Sequence, residues 1–331
     1  MSLLVVIPSY RAKELTLDCL RSLEGEVKSN PGMRVGICDN GNEDDTAQYL
    51  TRAITENGWQ EWCYIRTVMP NRGFSGGNNV ILREALTGNE VPDYFLLLNA
   101  DTIVRPGTIR YLLDIAEQRE DIGIIGPRLE DLSGIPQVSC FRFISPVSAL
   151  ISAANTGPVT KLLANWEVPL FPIPDSMIEP DWVSFACVLI RRGVFADIGV
   201  LDEGYYLYFD DVDYCRSARN AGWGVLHVPS VRVVHLEGQS NVVPEYTRTR
   251  KRRPAYWYVS RSWYFSKFYG KIGLVTANLM WMLGRGISLA REVIGHKQPH
   301  ICESEGLDNW KGLFLKNRPR VAIDPDININ T

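Results

Sequence analysis

The chain has no CxxC pair, no apolar run long enough to span a bilayer and no surplus of positive charge, and each shortage removes a class of function. Its seven cysteines (Cys19, Cys38, Cys63, Cys140, Cys187, Cys215, Cys302) are odd in number, scattered and set mostly in apolar runs such as VGICDN and FACVLI. They read as reduced, buried thiols of a cytoplasmic protein, and a structural zinc site is not expected. A formal charge of -3 gives the whole chain no attraction to nucleic acid or to anionic membrane. Neither GxGxxG nor P-loop spacing occurs, so the dinucleotide and ATPase readings fail. The start, MSLLVVIPSYRAKE, lacks a basic region before its short apolar stretch and reads as a first strand, not a signal peptide. The longest uncharged apolar stretch considered for a membrane, Ile272 to Gly284, has thirteen residues, against the ~20 that spanning requires.

What remains is ordinary for a soluble globular protein: 331 residues, 45% hydrophobic and 22% charged. That length holds one large domain with an appendage, or two of ordinary size. To about residue 126, short β-branched runs alternate with amphipathic stretches. Strands are expected at 3–7, 33–38, 63–69, 94–98 and 122–126, and helices around 13–24, 43–57, 76–87 and 106–118. This alternation predicts βαβ units and an α/β fold with a doubly wound, mostly parallel sheet. In such sheets ligands bind beyond the carboxyl ends of strands. The polar clusters Pro8-Ser9-Tyr10, Asp39-Asn40-Gly41, Asn71-Arg72-Gly73 and Asn99-Ala100-Asp101 fall there. Residues 128–180 are irregular and rich in Ser and Pro, an excursion able to cover a site. WVSFACVLIRR (182–192) reads as a strand entering a helix, and GVLHV and VRVVH as strands. After about residue 240 the composition turns basic, aromatic and helical, placing a catalytic-type domain at 1–240 and a helical region at 241–331. Arg248, Arg250, Lys251, Arg252 and Arg253 precede the apolar run there. The pattern suits an anionic membrane surface, and equally a helix packed on the core with a solvated basic flank.

Four constellations have the chemistry for a site. Asp101, past a buried strand and two residues after Asn99, can offer oxygen to a hard divalent cation shared with a diphosphate, although a turn or helix cap explains the same residues. Asn71 to Asn79 (NRGFSGGNN) holds three glycines before a helix, which favours phosphate or simply a tight turn. Asp210, Asp211 and Asp213 crowd three carboxylates into four residues amid aromatics. Such repulsion marks a site more readily than a helix start needing acid. Lastly, His235 ends the strand VRVVH, while His227 reads as structural.

The stretches VVIPSY, ICDNGNEDDT, NRGFSGGNN, LLLNAD, WVSFACVLIRR, FDDVDYCRSARNAGW and VPSVRVVH, in this order across residues 3–236, resemble family 2 glycosyltransferases of the GT-A fold, within them the rhamnosyltransferase-like group. The resemblance implies that Pro8, Ser9, Tyr10, Asp39 and Asn40 line a nucleotide pocket, with the loop Asn71, Gly73 and Asn78 along the diphosphate. It implies a metal (Mg²⁺ or Mn²⁺) on Asp101, in a motif whose first position is Asn99 with Ala100 between, and His235 completing the shell. Asp211 takes the place of the catalytic base, with Asp210 beside it, and Trp182 and Phe185 fall on the acceptor side. Phe185 stands where the group usually has glycine, and Asn42 and Asp45 replace the common Ser and Gly after Asp39. The implied reaction is inverting transfer of a sugar, rhamnose favoured, from a nucleoside diphosphate such as deoxythymidine diphosphate rhamnose to a glycan or lipid-linked acceptor of a surface polysaccharide.

Two rival readings keep the fold. A sugar nucleotidyltransferase wants a basic glycine-rich loop near the N-terminus, which VVIPSYRAKE does not supply. A non-catalytic sugar-binding scaffold predicts loss of the acidic cluster, which is intact. The expected location is cytoplasmic or peripheral at the inner face of the membrane. The aromatic C-terminal region has three packing partners open to it: another subunit, a membrane or its own core.

Overall fold

A computed structural model describes residues 1–236, 243–296 and 298–314; of the expected C-terminal region, 241–242, 297 and 315–331 lie outside them. The chain runs β1 (Leu3–Ser9), α1 (Lys13–Ser29), β2 (Met33–Asn40), α2 (Thr46–Glu56), β3 (Cys63–Val68), α3 (Gly73–Leu86), β4 (Tyr94–Leu98), β5 (Thr102–Val104), α4 (Thr108–Gln118) and β6 (Ile122–Glu130). There follow β7 (Cys140–Phe141), α5 (Pro146–Ala154), α6 (Gly157–Leu162), β8 (Trp182–Val183), β9 (Cys187–Arg191), α7 (Arg192–Ile198), α8 (Asp210–Asn220), β10 (Gly224–His235), α9 (Val243–Thr249), α10 (Ala255–Gly295) and α11 (Glu305–Lys311).

Eight strands form one sheet in the order β3-β2-β1-β4-β9-β6-β10-β5. Six share a direction, while β9 and β5 run against their neighbours. The expected mostly parallel, doubly wound sheet is therefore found, with an antiparallel strand in its middle that periodicity could not disclose. GVLHV and VRVVH are one strand with a register shift between Val228 and Arg232. The excursion at 128–180 holds α5, whose start is closed by reciprocal bonds between Ser145 and Ser148 with Pro146 in the first turn.

Strand alternation divides the apolar side chains between two cores. Leu3, Val5 and Ile7 face α1, α2 and α4, whereas Leu4 and Val6 face α3 and the helices of the second half. The second core also takes in Tyr264, Phe265, Leu274 and Ala277 of α10. The helical region after residue 240 thus shares a core with the residues before it. All seven cysteines are buried and unpaired, and burial pushes the Cys19, Cys38 and Cys63 thiols up to about 12.

Candidate active site

Because β1, β2 and β4 are adjacent and parallel, Ser9, Asp39 and Asp101 come to the same edge of the sheet. The antiparallel β9 starts at that edge, where Asn99 N donates to Ala186 O at 2.9 Å. His235 reaches it from the end of β10.

At the β1 and β2 ends, Asp39 is buried and held from both sides. Asn42 Nδ2 donates to one of its oxygens and Thr67 Oγ1 to the other at 3.3 Å. Asn42 also donates to Ser9 O at 3.0 Å and accepts from Arg11 N at 2.7 Å. The residue in place of the usual serine therefore ties the end of β1 to the end of β2. Ser9 Oγ pairs with Thr16 at 2.8 Å, while Pro8 and Tyr10 are partly exposed on either side of it.

The glycine-rich stretch is the first turn of α3, which begins at Gly73, three residues earlier than periodicity predicts. Asn40 staples it to β2, donating to Gly73 O at 2.9 Å and accepting from Arg72 N at 2.9 Å. Asn71 Oδ1 accepts from Gly73 N at 2.7 Å. Gly73 needs its φ of +70°, and a Cβ there would lie 2.1 Å from Tyr206 O. Close approach is thus used by the chain itself, which draws the 206–213 segment against the loop; Phe74 N donates to Tyr206 O at 2.7 Å. Asn78 is buried and donates to Phe74 O at 2.9 Å, but its Oδ1 accepts nothing.

Asp101 is 2% exposed, with one carboxylate oxygen 3.6 Å from His235 Nε2. Among the described residues no group of three or more His, Cys, Asp or Glu gathers to hold a metal. An oxygen and a nitrogen donor at a strand-end edge still fit Mg²⁺ or Mn²⁺, which complete their shells with phosphate oxygens and water. The Asn99 side chain forms none of the hydrogen bonds found at this edge; its backbone O accepts from Thr102 Oγ1 at 2.7 Å. Ala100 is buried.

The acidic cluster opens α8. Val212, Cys215 and Ala218 are fully buried along one side, which fixes the rotation of the helix and hence the aim of its first turn. Tyr208 and Phe209 both hold positive φ, 68° and 67°, immediately before Asp210. Backbone of this kind in non-glycine residues costs about 1–3 kcal/mol each and needs outside support. Support comes from α10: Trp257 and Tyr264 pack on Phe209 at 5.7 and 5.8 Å, Tyr256 on Tyr206 at 5.3 Å, and Ser260 Oγ donates to Leu207 O at 3.1 Å. Burial drives the Asp211 carboxyl up to about 7. Asp210 is raised well above the usual carboxylate range too, by burial first and then by the charges of Asp211 and Asp213. Asp213 is also raised by burial, but Lys267 and Tyr205 restrain it; Tyr205 Oη donates at 2.7 Å and Lys267 Nζ at 2.8 Å. The three carboxylates therefore differ: Asp213 is tied up in structure, and Asp210 and Asp211 share a site that favours holding a proton.

Trp182 stacks on Phe141 at 4.0 Å and donates Nε1 to Arg142 O at 2.9 Å. Phe185 is 3% exposed and meets Tyr214 of α8 edge-on at 6.0 Å. Both are buried, so they back α8 and present little surface of their own. Sequence reasoning missed Thr67, Asn42 as a holder of Asp39, Tyr205 and Lys267. The last two lie in aromatic stretches where only the fold reveals a carboxylate neighbour.

Residues 2–256 match the family model described as glycosyltransferase like family 2. The chain is 31% identical over 159 residues to an N-acetylglucosaminyl-diphospho-decaprenol L-rhamnosyltransferase of Mycobacterium tuberculosis, covering 45% of this chain and 49% of that protein. It is 28% identical over 167 residues to a low-salt glycan biosynthesis hexosyltransferase of Haloferax volcanii, covering 50% and 49%. The aligned parts thus span about half the length of these relatives. Among solved structures, a mannosyltransferase of Pyrobaculum calidifontis in complex with GDP-Man and Mn²⁺ superposes with a TM-score of 0.56 at 12% identity, over 96% of this chain and 81% of that one. GalNAc-T7 with UDP, GalNAc and Mn²⁺ gives 0.57 at 18%, over 89% and 55%. At such identities the likeness establishes the GT-A fold and nothing finer. With a family match across most of its length and this fold, the chain belongs to the family 2 glycosyltransferases.

Proposed function

We propose that the chain transfers a sugar, rhamnose by preference, from a nucleoside diphosphate donor to a hydroxyl of a lipid-linked glycan, with inversion. The observation that carries this reading is the raised Asp210–Asp211 pair, set by a strained turn at the start of α8. A carboxylate near pH 7 in affinity can take a proton from a hydroxyl and still be ionised beforehand.

In the proposed step Asp211 accepts the acceptor's hydroxyl proton as that oxygen bonds to the anomeric carbon. The bond from that carbon to the diphosphate breaks on the opposite face, and its electron pair leaves with the nucleoside diphosphate. Asp210 lies beside Asp211 at the start of α8, and the charge of Asp211 adds to the burial that holds the Asp210 proton. Asp39, held by Asn42 and Thr67, faces the nucleoside, with Ser9, Pro8 and Tyr10 as its walls. Asp101 and His235 would hold the Mg²⁺ or Mn²⁺, which neutralises the leaving diphosphate when bound. A rhamnosyl donor and a diphospho-lipid acceptor are favoured by the likeness to the mycobacterial rhamnosyltransferase; the deoxythymidine base is part of the proposal.

The test is donor binding and hydrolysis across a panel of nucleotide sugars, with and without Mn²⁺, for wild type, Asp101→Ala and Asp211→Asn. The reading expects one donor to bind with metal help, Asp101→Ala to weaken it, and Asp211→Asn to bind it without turnover. Failure of every nucleotide sugar to bind would leave a scaffold that has kept the fold.

A further inference from the structure

Helix α10 is interrupted at Gly270, whose φ of 67° and ψ of 179° are not helical. The first half grips the catalytic turn. The second half buries Leu274, Ala277, Trp281 and Gly284 and packs against α5, where a Cβ on Gly284 would lie 2.3 Å from Leu150 O. Its opposite side faces outward over about six turns at 3.6 residues per turn. There Ile272, Val293 and Ile294 are 83%, 74% and 81% exposed, and Leu279, Leu283 and Leu289 lie between them, also exposed. No charged side chain falls on this stripe. Arg285 instead pairs with Glu292 at 2.6 Å, and Arg291 donates to Asn155 O at 2.6 Å.

Charge frames the stripe. Residues 243–296 carry ten Lys and Arg against two Glu, of which Arg252, Arg253, Lys267 and Arg285 are paired with Asp308, Glu305, Asp213 and Glu292, and Lys251 lies 3.7 Å from Glu245. Exposed Lys271 stands at the start of the stripe. The exposed Arg248, Arg250 and Lys251 are brought toward its far end, because Arg250 donates to Pro299 O at 2.9 Å and its own carbonyl accepts from Glu303 N at 3.0 Å.

We infer that this outer face of α10 seats the protein on an anionic lipid surface. An uncharged apolar face with cations at both ends, on a helix whose other side is packed on protein, has the form of an element lying in the bilayer interface. Length and composition alone would let α10 cross a membrane. The break at Gly270, the buried Arg261 and the engagement of Lys267 with Asp213 place its first half in the protein instead. Lipid seating is independent of catalysis; its use, offering a lipid-linked hydroxyl to Asp211, rests on the transfer reading above.

The experiment is flotation of the full chain with vesicles of phosphatidylcholine, with and without phosphatidylglycerol. Leu279→Glu/Leu283→Glu and Arg248→Ala/Lys251→Ala variants are run beside it, and thermal unfolding and donor hydrolysis without vesicles serve as controls. The expected result is flotation that requires phosphatidylglycerol, is abolished by the paired glutamates and falls about fivefold for each basic residue removed. Unfolding and hydrolysis stay at wild-type level. No flotation on either vesicle, flotation unaffected by the glutamates, or equal flotation without phosphatidylglycerol overturns it. So does a dimer by light scattering that the glutamates dissociate while lipid binding is absent, which would make the stripe an interface between copies. Loss of donor hydrolysis in wild type would count against the transfer reading and leave the lipid result standing.

Discussion

Lys267 Nζ lies 2.8 Å from the Asp213 carboxylate and 3.2 Å from that of Asp202, so a side chain of α10 is the counter-ion within the first turn of α8. Asp213 is 4% exposed in its side chain and Lys267 30%. Removing the cation leaves a buried carboxylate that, among the described residues, keeps the Tyr205 hydroxyl as its side-chain donor. We expect Lys267→Met to lower stability by ~2 kcal/mol, below the full cost of breaking a buried pair because the lysine is partly wet. A shift of the α8 start should also lower kcat by ~10- to 100-fold, with KM for the donor little changed. Equal losses in donor affinity and kcat would show a merely structural role.

In its proposed role as base, Asp211 sets the expected pH dependence. A base must be ionised to act, and burial holds this carboxyl at about 7. The rate should climb tenfold per pH unit below that value and level off above it. A pH–rate profile with saturating donor and acceptor reads this directly; a plateau reaching down to pH 5 would remove Asp211 from the role.

The same burial has a price in stability. Asp211 binds its proton more tightly folded than unfolded, where its pKa is near 3.8. The native state therefore carries more protons between about 4 and 7, and stability falls as pH rises through that window. Asp211→Asn should raise the melting temperature at pH 8 by ~2 °C or more while lowering kcat by ~100-fold or more. The gain should vanish at pH 4, where wild type is already neutral at this position.

Much of the fold was legible because alternation in β1, β2 and β4 and the spacing of Val212, Cys215 and Ala218 are local signals. The strand-end polar groups Asp39, Asp101 and His235 follow from them. The role of β9 was not legible: a short, largely apolar strand reads alike in either direction, and its place between β4 and β6 depends on long-range pairing. Nor was the part played by α10. Lys267 and Trp257 sit in a basic, aromatic stretch whose pattern fits a membrane, another subunit or a core, and only their contacts with Asp213 and Phe209 distinguish these.

Gly73 tests whether the loop and the catalytic turn act together. An alanine there meets Tyr206 O and has to hold a φ of +70°. Gly73→Ala should cost ~2 kcal/mol or more. It should also reduce turnover, because Tyr206 lies four residues before Asp210 and moves with it. A variant that is destabilised yet fully active at low temperature would separate the two.

The metal reading is decided at Asp101 and His235. On the proposed function the cation and the nucleoside diphosphate bind the folded chain together, so Mn²⁺ with the diphosphate should raise the melting temperature more than either alone. Asp101→Ala removes the buried carboxylate and should abolish that extra shift. His235→Ala, losing one nitrogen donor on the rim, should weaken it by ~10-fold in metal affinity. If Asp101→Ala keeps the whole Mn²⁺-dependent shift, the cation is held elsewhere, and the carboxylate beside His235 serves only to tie the β4 end to β10.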